Sequence, residues 1–282
     1  MKIAVIGLGL IGGSIAKAIK LNTEHEVLGY DIEKSVVLKA KLIEAIDNEL
    51  DLTRIGECDA VIIALYPEAT VEFIKNNADK IKKNALVVDC CGIKRIVCDT
   101  AVPLSKEHGF TFIGGHPMAG IEKSGFEHSN PAMFSKASMI LTPDADMDIV
   151  EIERAKKLFL SIGFGYITIR SPEEHDRVIA YTSQLAHVLS NAYIKSPTAP
   201  YHKGISAGSF KDMTRVATLN PEMWTELFFI NKDYLITEVD ALAKRLMEYS
   251  AALKADDKDE MSRLLRDGVI MKAMCNRQEE EK

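Results

Sequence analysis

A chain of 282 residues, 47% of them hydrophobic, can bury a sizeable core and is long enough for two domains. Its 35 basic and 41 acidic side chains leave a net charge of -6, and the cations are scattered among acids, so nucleic acid is not an expected partner. No apolar run approaches bilayer length and Met1 leads straight into a strand-like stretch, so neither a membrane partner nor a signal peptide is expected, and the expected compartment is the cytoplasm.

Up to about Ile169, short apolar runs alternate with helical stretches; the strand candidates are residues 3–6, 27–30, 60–65, 86–89, 110–113, 138–142 and 166–169. This is the pattern of a mostly parallel sheet covered on both faces, so a Rossmann-type α/β domain is expected over residues 1–170. The first strand runs into Gly7-Leu8-Gly9-Leu10-Ile11-Gly12, a GxGxxG that opens a helical stretch to Lys20. Alone the motif is weak. Between a strand and a helix, its glycines give the tight turn and close backbone approach that a pyrophosphate needs, with the helix N-terminus facing the anion. Asp31 closes the second strand; a carboxylate there accepts hydrogen bonds from a ribose diol and repels a 2′-phosphate, so NAD is expected rather than NADP. The five cysteines contain no CxxC pair, and neither a metal nor a dithiol is expected. Cys90 and Cys91 follow the apolar run 85–88; buried, reduced thiols are the expectation and a catalytic thiol the alternative.

The fifth strand leads into Gly114-Gly115-His116-Pro117-Met118-Ala119-Gly120. Ligands of open α/β sheets sit at the carboxyl ends of strands, so this loop emerges where a nicotinamide would lie. A neutral His116 beside a substrate hydroxyl can remove its proton as hydride leaves the carbon; a structural loop histidine explains the stretch equally well. At Ser171-Pro172-Glu173-Glu174 an N-cap, a proline at N1 and an acid at N3 start a helix, and an all-α domain is expected over 171–282. Asp176, Ser183, His187 and Asn191 recur at helical spacing beside the apolar stripe Val178, Tyr181, Leu185, Val188 and Ala192. Such a face can line a cleft, although on the residues alone a solvated face is the better reading. Asp212 precedes Arg215 by one helical turn and could orient its guanidinium, which binds carboxylates bidentately; a surface ion pair is the alternative. Trp224 reads as packing. Asn220-Pro221-Glu222 starts a helix expected to reach about Lys254, with Leu235, Val239, Leu242, Leu246, Tyr249 and Leu253 as a heptad-like seam. At 1.5 Å rise per residue it would be roughly 50 Å long, so a second copy is expected to cover it in a homodimer, with packing inside one chain as the alternative. The acidic end, residues 279–282, is expected to be solvated and frayed.

Together, GLGLIGGS at 7–14, GGHPMAGIEKSG at 114–125, EEHDRVIAYTSQLAH at 173–187 and FKDMTRVATLNPEMW at 210–224 resemble the prephenate dehydrogenase family, oxidoreductases of tyrosine biosynthesis. The resemblance covers nearly the whole chain. It implies oxidative decarboxylation of prephenate to 4-hydroxyphenylpyruvate with NAD taking the hydride, His116 deprotonating the hydroxyl and Arg215 binding a substrate carboxylate. It further implies that His187 and Glu122 line or gate the pocket, that Asp212 partners the arginine, that His175 and Asp176 belong to a motif opening the helical domain, and that members dimerise through this domain. There are two departures. Family members often carry a serine where this chain has Gly92, within Asp89-Cys90-Cys91-Gly92-Ile93-Lys94; and Gln184 and Ala186 stand where Ser-His-Leu-Pro-His has histidine and proline. The second bears on the choice between prephenate and its transaminated relative arogenate. Neither a regulatory ACT domain nor a fused chorismate mutase domain is expected, so tyrosine inhibition, where it occurs, is expected at the active site. The remaining alternatives are a β-hydroxyacid or imine reductase and a non-catalytic NAD-responsive sensor.

Overall fold

The computed structural model describes residues 1–280; Glu281 and Lys282, part of the end expected to fray, lie outside the described residues. The sheet and its helices follow in the order β1 (Lys2–Ile6), α1 (Leu10–Asn22), β2 (Glu26–Tyr30), α2 (Lys34–Leu42), β3 (Asn48–Glu49), β4 (Ala60–Ile63), α3 (Pro67–Asn77), β5 (Leu86–Asp89), α4 (Arg95–His108), β6 (Thr111–Pro117), β7 (Ser138–Thr142), α5 (Ile149–Ser161) and β8 (Tyr166–Ile169). All eight strands form one sheet ordered β3-β2-β1-β4-β5-β6-β7-β8. Pairing is parallel throughout except between β6 and β7. This is the expected α/β sheet, with the two-residue β3 added at its edge.

The central strands are apolar without alternation because both of their faces are covered. Ile3 and Val5 of β1, Ile62 of β4 and Val88 of β5 join Ile15, Ile19 and Phe159 in one core. Their neighbours Ala4, Ile6, Val61, Ile63 and Val87 join Phe73, Ile74, Val97 and Ala101 in the other. Successive residues therefore feed opposite layers, α1 and α5 on one face and α3 and α4 on the other. The strand order reverses beside β1, between β2 and β4, and a crevice at the carboxyl ends of the strands at such a switch point is where ligands of open α/β sheets bind.

One strand is longer than its apolar run suggests. β6 continues through His116 and Pro117 because β7 arrives antiparallel and pairs Gly114 with Thr142, Gly115 with Leu141, His116 with Ile140 and Pro117 with Met139. His116 is thus a strand residue held by a hydrogen-bond ladder, not the loop residue expected after residue 113.

Beyond β8 the described chain is helical: α6 (Pro172–Ile179), a π-turn over Ala180–Leu185, α7 (Ala186–Tyr193), α8 (Gly208–Thr214), α9 (Pro221–Ile230), α10 (Lys232–Lys254) and α11 (Lys258–Glu280), with one further short turn at Ala199–Tyr201. The expected caps form: Ser171 Oγ accepts from Glu174 N at 3.1 Å, and Asn220 Oδ1 accepts from Met223 N at 3.0 Å. The single helix expected from Pro221 to Lys254 is instead two, broken at Asn231. Asn231 is fully buried, and its side chain donates to Asp176 O (2.9 Å) and Gln184 Oε1 (2.8 Å) while accepting from Arg95 Nη2 (2.8 Å). Those bonds hold its backbone at φ -106 and ψ 23, which ends α9. Residues Met1–Lys232 form one compact unit and the chain from Asp233 another. Within the second unit, Asp256 turns the chain at φ 52, and Tyr249 Oη donates to Leu264 O at 3.4 Å. No helix among the described residues is long and apolar enough to cross a membrane.

Candidate active site

The glycine turn after β1 is dictated by contact distances. Gly7 has φ +84, and a Cβ there would lie 2.5 Å from Ala64 O; a Cβ on Gly12 would lie 1.8 Å from Gly7 O. Neither position tolerates a side chain. Gly9 faces open space, with nothing within 4 Å of a Cβ. It caps α1, whose first turn carries no acidic residue and no side-chain cap, so the leading N–H groups and the positive helix end remain for an anion. Asp31 is drawn to the same turn: Oδ2 accepts from Leu8 N at 2.8 Å and Oδ1 from Glu33 N at 2.9 Å. Each oxygen keeps acceptor capacity. A phosphate-sized cradle beside an oriented carboxylate fits a dinucleotide with a free ribose diol.

Across the sheet, Asp89 ends β5 and Lys94 precedes α4, and the two form a fully buried ion pair. The ammonium also donates to Gly115 O, while Asp89 accepts from Gly115 N (3.1 Å) and Cys91 N (2.9 Å). Burial works against the charged lysine, but Asp89 beside it raises its pKa above the ordinary value. The pair thereby ties β5 to the glycines of β6 just ahead of His116.

A second buried carboxylate lies alongside. Asp176 Oδ1 accepts from Lys94 N (2.8 Å) and His175 Nδ1 (2.7 Å); Oδ2 accepts from Arg95 N (3.0 Å) and Arg95 Nε (3.2 Å). Helix α4 has no side-chain cap of its own at Lys94. Asp176, from a distant helix, does that work. The solvated face expected for Asp176 is therefore corrected: the uncapped N–H groups of α4 draw it inside. Further along the same face, Asn191 Nδ2 donates to Ala217 O at 3.0 Å.

His116 closes this network. Its Nδ1 lies 2.8 Å from His175 Nε2, the rings edge to face with centroids 5.0 Å apart. Burial, then the neighbouring His175 and Lys94, hold the His116 pKa well below the ordinary imidazole value, so the ring is neutral at physiological pH. His116 as a whole is half-buried. A Cβ on Gly92 would lie 3.8 Å from His116 Nε2 and 3.9 Å from Leu227 Cδ2. The neighbouring thiols are inert. Burial first, then Asp89, raises Cys90 and Cys91 far above the usual thiol range, and Cys98 is pushed up to about 12. A catalytic thiol is thus set aside, since the thiolate is the nucleophile.

The remaining candidates gather around Arg215, the residue after α8. Its Nη1 donates to Glu122 Oε1 at 2.9 Å, with the side chains 69% and 45% exposed. The pairing expected with Asp212 is replaced by this one. The short Asp212 side chain is exposed at the end of a seven-residue helix, and the longer Glu122 reaches the guanidinium from the segment between β6 and β7. His187 Nδ1 donates to Ser183 O at 2.8 Å, and its ring packs against Trp224 with centroids 4.0 Å apart and the planes tilted by 31°. Burial lowers its pKa, and it feels both Arg215 and Glu122. The structure thus brings His187, Arg215, Glu122 and Trp224 into one neighbourhood. Sequence reasoning did not find the contact of His175 with His116, the Lys94–Asp89 pair or the role of Asn231. The one available signal was a His-Asp pair in the first turns of a helix that starts in the loop after the sheet. Among the described residues no cluster of three or more metal-ligating side chains occurs.

A neutral imidazole at the carboxyl edge of a dinucleotide cradle is what proton removal coupled to hydride transfer requires, and it places the molecule among the Rossmann-type oxidoreductases. Within that class the chain belongs to the prephenate dehydrogenase family. The family's nucleotide-binding domain matches residues 15–167 and its dimerization domain residues 171–267. The prephenate dehydrogenase of Bacillus subtilis is 32% identical over 93% of this chain and 72% of its own length. The cyclohexadienyl dehydrogenase of Zymomonas mobilis is 31% identical over 91% of this chain and 90% of its own. Among solved structures, Aquifex aeolicus prephenate dehydrogenase in complex with hydroxyphenyl propionate and NAD+ superposes with a TM-score of 0.84 at 27% identity, covering 98% of both chains. Synechocystis arogenate dehydrogenase gives 0.82 at 24% identity, over 97% of this chain and 99% of that one, a likeness of fold.

Proposed function

We propose that this chain catalyses the oxidative decarboxylation of prephenate to 4-hydroxyphenylpyruvate. The observation that carries the reading is His116, an imidazole fixed on β6 at the carboxyl edge of the sheet, held neutral by burial, with its Nε2 facing the side-chain-free Gly92. Gly7, Gly9, Gly12 and Asp31 would hold NAD, which when bound accepts the hydride from the ring carbon bearing the hydroxyl. His116 takes the hydroxyl proton as that carbon becomes a carbonyl. The electron pair of the bond to the departing carboxylate then passes through the ring to the carbonyl oxygen as carbon dioxide leaves, and the phenolate of the now aromatic ring recovers the proton held by His116.

Arg215 binds a substrate carboxylate. Its pair with Glu122 is exposed, and such pairs contribute at most about 1 kcal/mol, so exchanging one carboxylate for another costs little. His187, packed on Trp224, is assigned to the same pocket, and Asp212, on the helix that ends just before Arg215, is assigned to its surroundings. The resemblance to Bacillus subtilis prephenate dehydrogenase supports prephenate as substrate. One observation favours arogenate as a second substrate: the Glu122 carboxylate beside Arg215 is a suitable partner for an ammonium group.

The functional division falls near residue 170, a dinucleotide-binding part followed by a helical substrate-binding and dimerising part, a reading supported by the changeover between the two family domains. Two copies pair through the helical part, as the dimerization-domain match and the uncovered seam residues Leu246 and Leu253, 54% and 71% exposed, support.

The deciding measurement follows reduced nucleotide with prephenate and arogenate, each with NAD and NADP. Rapid reduction with prephenate and NAD is expected; no reduction with either substrate overturns the reading. His116→Asn is expected to lower kcat by about 10²- to 10⁴-fold while leaving NAD affinity largely unchanged. Wild-type turnover in that variant would remove His116 as the base.

A further inference from the structure

We infer that the buried pair His175 and Asp176 locks His116 in the tautomer that carries its proton on Nδ1, leaving a lone pair on Nε2 as the base. The inference rests on the proposed role of His116 and adds two positioning residues that touch no substrate.

The argument is one of donors and acceptors. Asp176 Oδ1 already accepts from Lys94 N and Oδ2 from Arg95 N and Nε. Burial opposes its charge, yet the bonds from His175 and from the Arg95 and Lys94 amides hold its pKa below the usual carboxylate range. Ionised, it has no proton to give. The 2.7 Å contact from His175 Nδ1 is therefore an Nδ1–H donating to the carboxylate. A neutral His175 then has only a lone pair on Nε2. The 2.8 Å contact between that atom and His116 Nδ1 requires Nδ1–H of His116 to donate. His116 Nε2 is left unprotonated, and it is the ring atom nearest to the space beside Gly92.

The opposite state disables the site. A doubly protonated His175 would donate from both nitrogens, His116 Nδ1 would have to accept, and the proton of His116 would move to Nε2, where the base is needed. The charged groups facing the pair are Lys94, Asp89, Arg95 and Asp176, and they cancel as two ion pairs. Burial is the first force against protonating His175, opposed by its bond to Asp176. Its side chain is fully buried, so it has no contact with solvent to serve. When Nε2 takes the substrate proton, the imidazolium that forms donates through Nδ1 to a lone pair backed by the Asp176 carboxylate, which spreads the new charge.

The test combines a spectrum with two variants. In ¹⁵N-histidine-labelled protein without substrate, the His116 resonances should show a protonated Nδ1 and an unprotonated Nε2; a proton on Nε2 overturns the inference whatever the variants do. His175→Phe fills the space without hydrogen bonds, and kcat should fall by about 10²-fold or more with KM and NAD affinity within about threefold. His175→Gln can accept from His116 and donate to Asp176 without titrating, and should recover kcat to within about tenfold of wild type. Wild-type kcat in His175→Phe, or no recovery in His175→Gln, overturns the inference. Because the spectrum needs no substrate, an enzyme inactive on both prephenate and arogenate would sink the functional reading while leaving the tautomer result standing.

Discussion

His116 is neutral because its surroundings resist a second proton, and this has a consequence in solution. Burial comes first, then His175 and the Lys94 ammonium. A base works when unprotonated, so a lowered pKa keeps it competent at more acid pH. The acid limb of kcat/KM, which reports the free enzyme, is therefore expected below about 6.5, the ordinary imidazole value. A pH profile already falling on the alkaline side of that value would contradict the assignment. Gly92 acts on the same ring by what it lacks, since its missing side chain leaves the flank of His116 Nε2 open. Lys94 and Asp89 matter at this scale as a unit, because removing one member of a buried pair strands the other charge.

At the level of elements, polar side chains from distant helices settle where helices begin and end. Asp176 caps α4 from α6, and Asn231 breaks what would be one continuous helix. Asn231→Ala exchanges a weak helix former for the strongest, yet removes three hydrogen bonds from a buried network. Leaving buried partners unsatisfied costs about 1–3 kcal/mol each at most sites, so urea titration is expected to show a net loss of stability of that order. A gain in stability would mean that helix propensity, not the network, governs the break. β6 makes the same point differently: its last four residues are strand because β7 pairs with them.

For the whole molecule, the doubly covered sheet explains why its strands are apolar on both sides, and the second unit raises the question of what covers it. In α10 and α11 the apolar side chains Leu246, Leu253, Leu265, Val269 and Ile270 are all more than half exposed. Large apolar side chains left exposed in such number are a candidate interaction surface, which agrees with the proposed homodimer. Leu253→Glu is expected to shift the protein from dimer toward monomer in sedimentation velocity while the helical circular dichroism of the chain is retained. A dimer of unchanged affinity would move the interface elsewhere.

The parts of the candidate site written in contiguous residues are legible in the sequence alone. Gly7, Gly9, Gly12 and Asp31 lie on one βαβ unit, and their requirement is a local backbone turn. His116 and Arg215 stood out by their neighbours, and the Rossmann-type sheet by its run of apolar strands. Pairings across long stretches were not legible. Glu122 reaches Arg215 over 93 positions, and His175 meets His116 over 59. Asp212, the neighbour in sequence, is not the partner that Arg215 takes. Periodicity and spacing report what a residue does within its own turn of helix or strand. Which buried carboxylate satisfies which N–H, and which nitrogen of an imidazole keeps its proton, depends on donors brought together only when the layers pack, because a buried polar group must find its partner wherever the fold provides one.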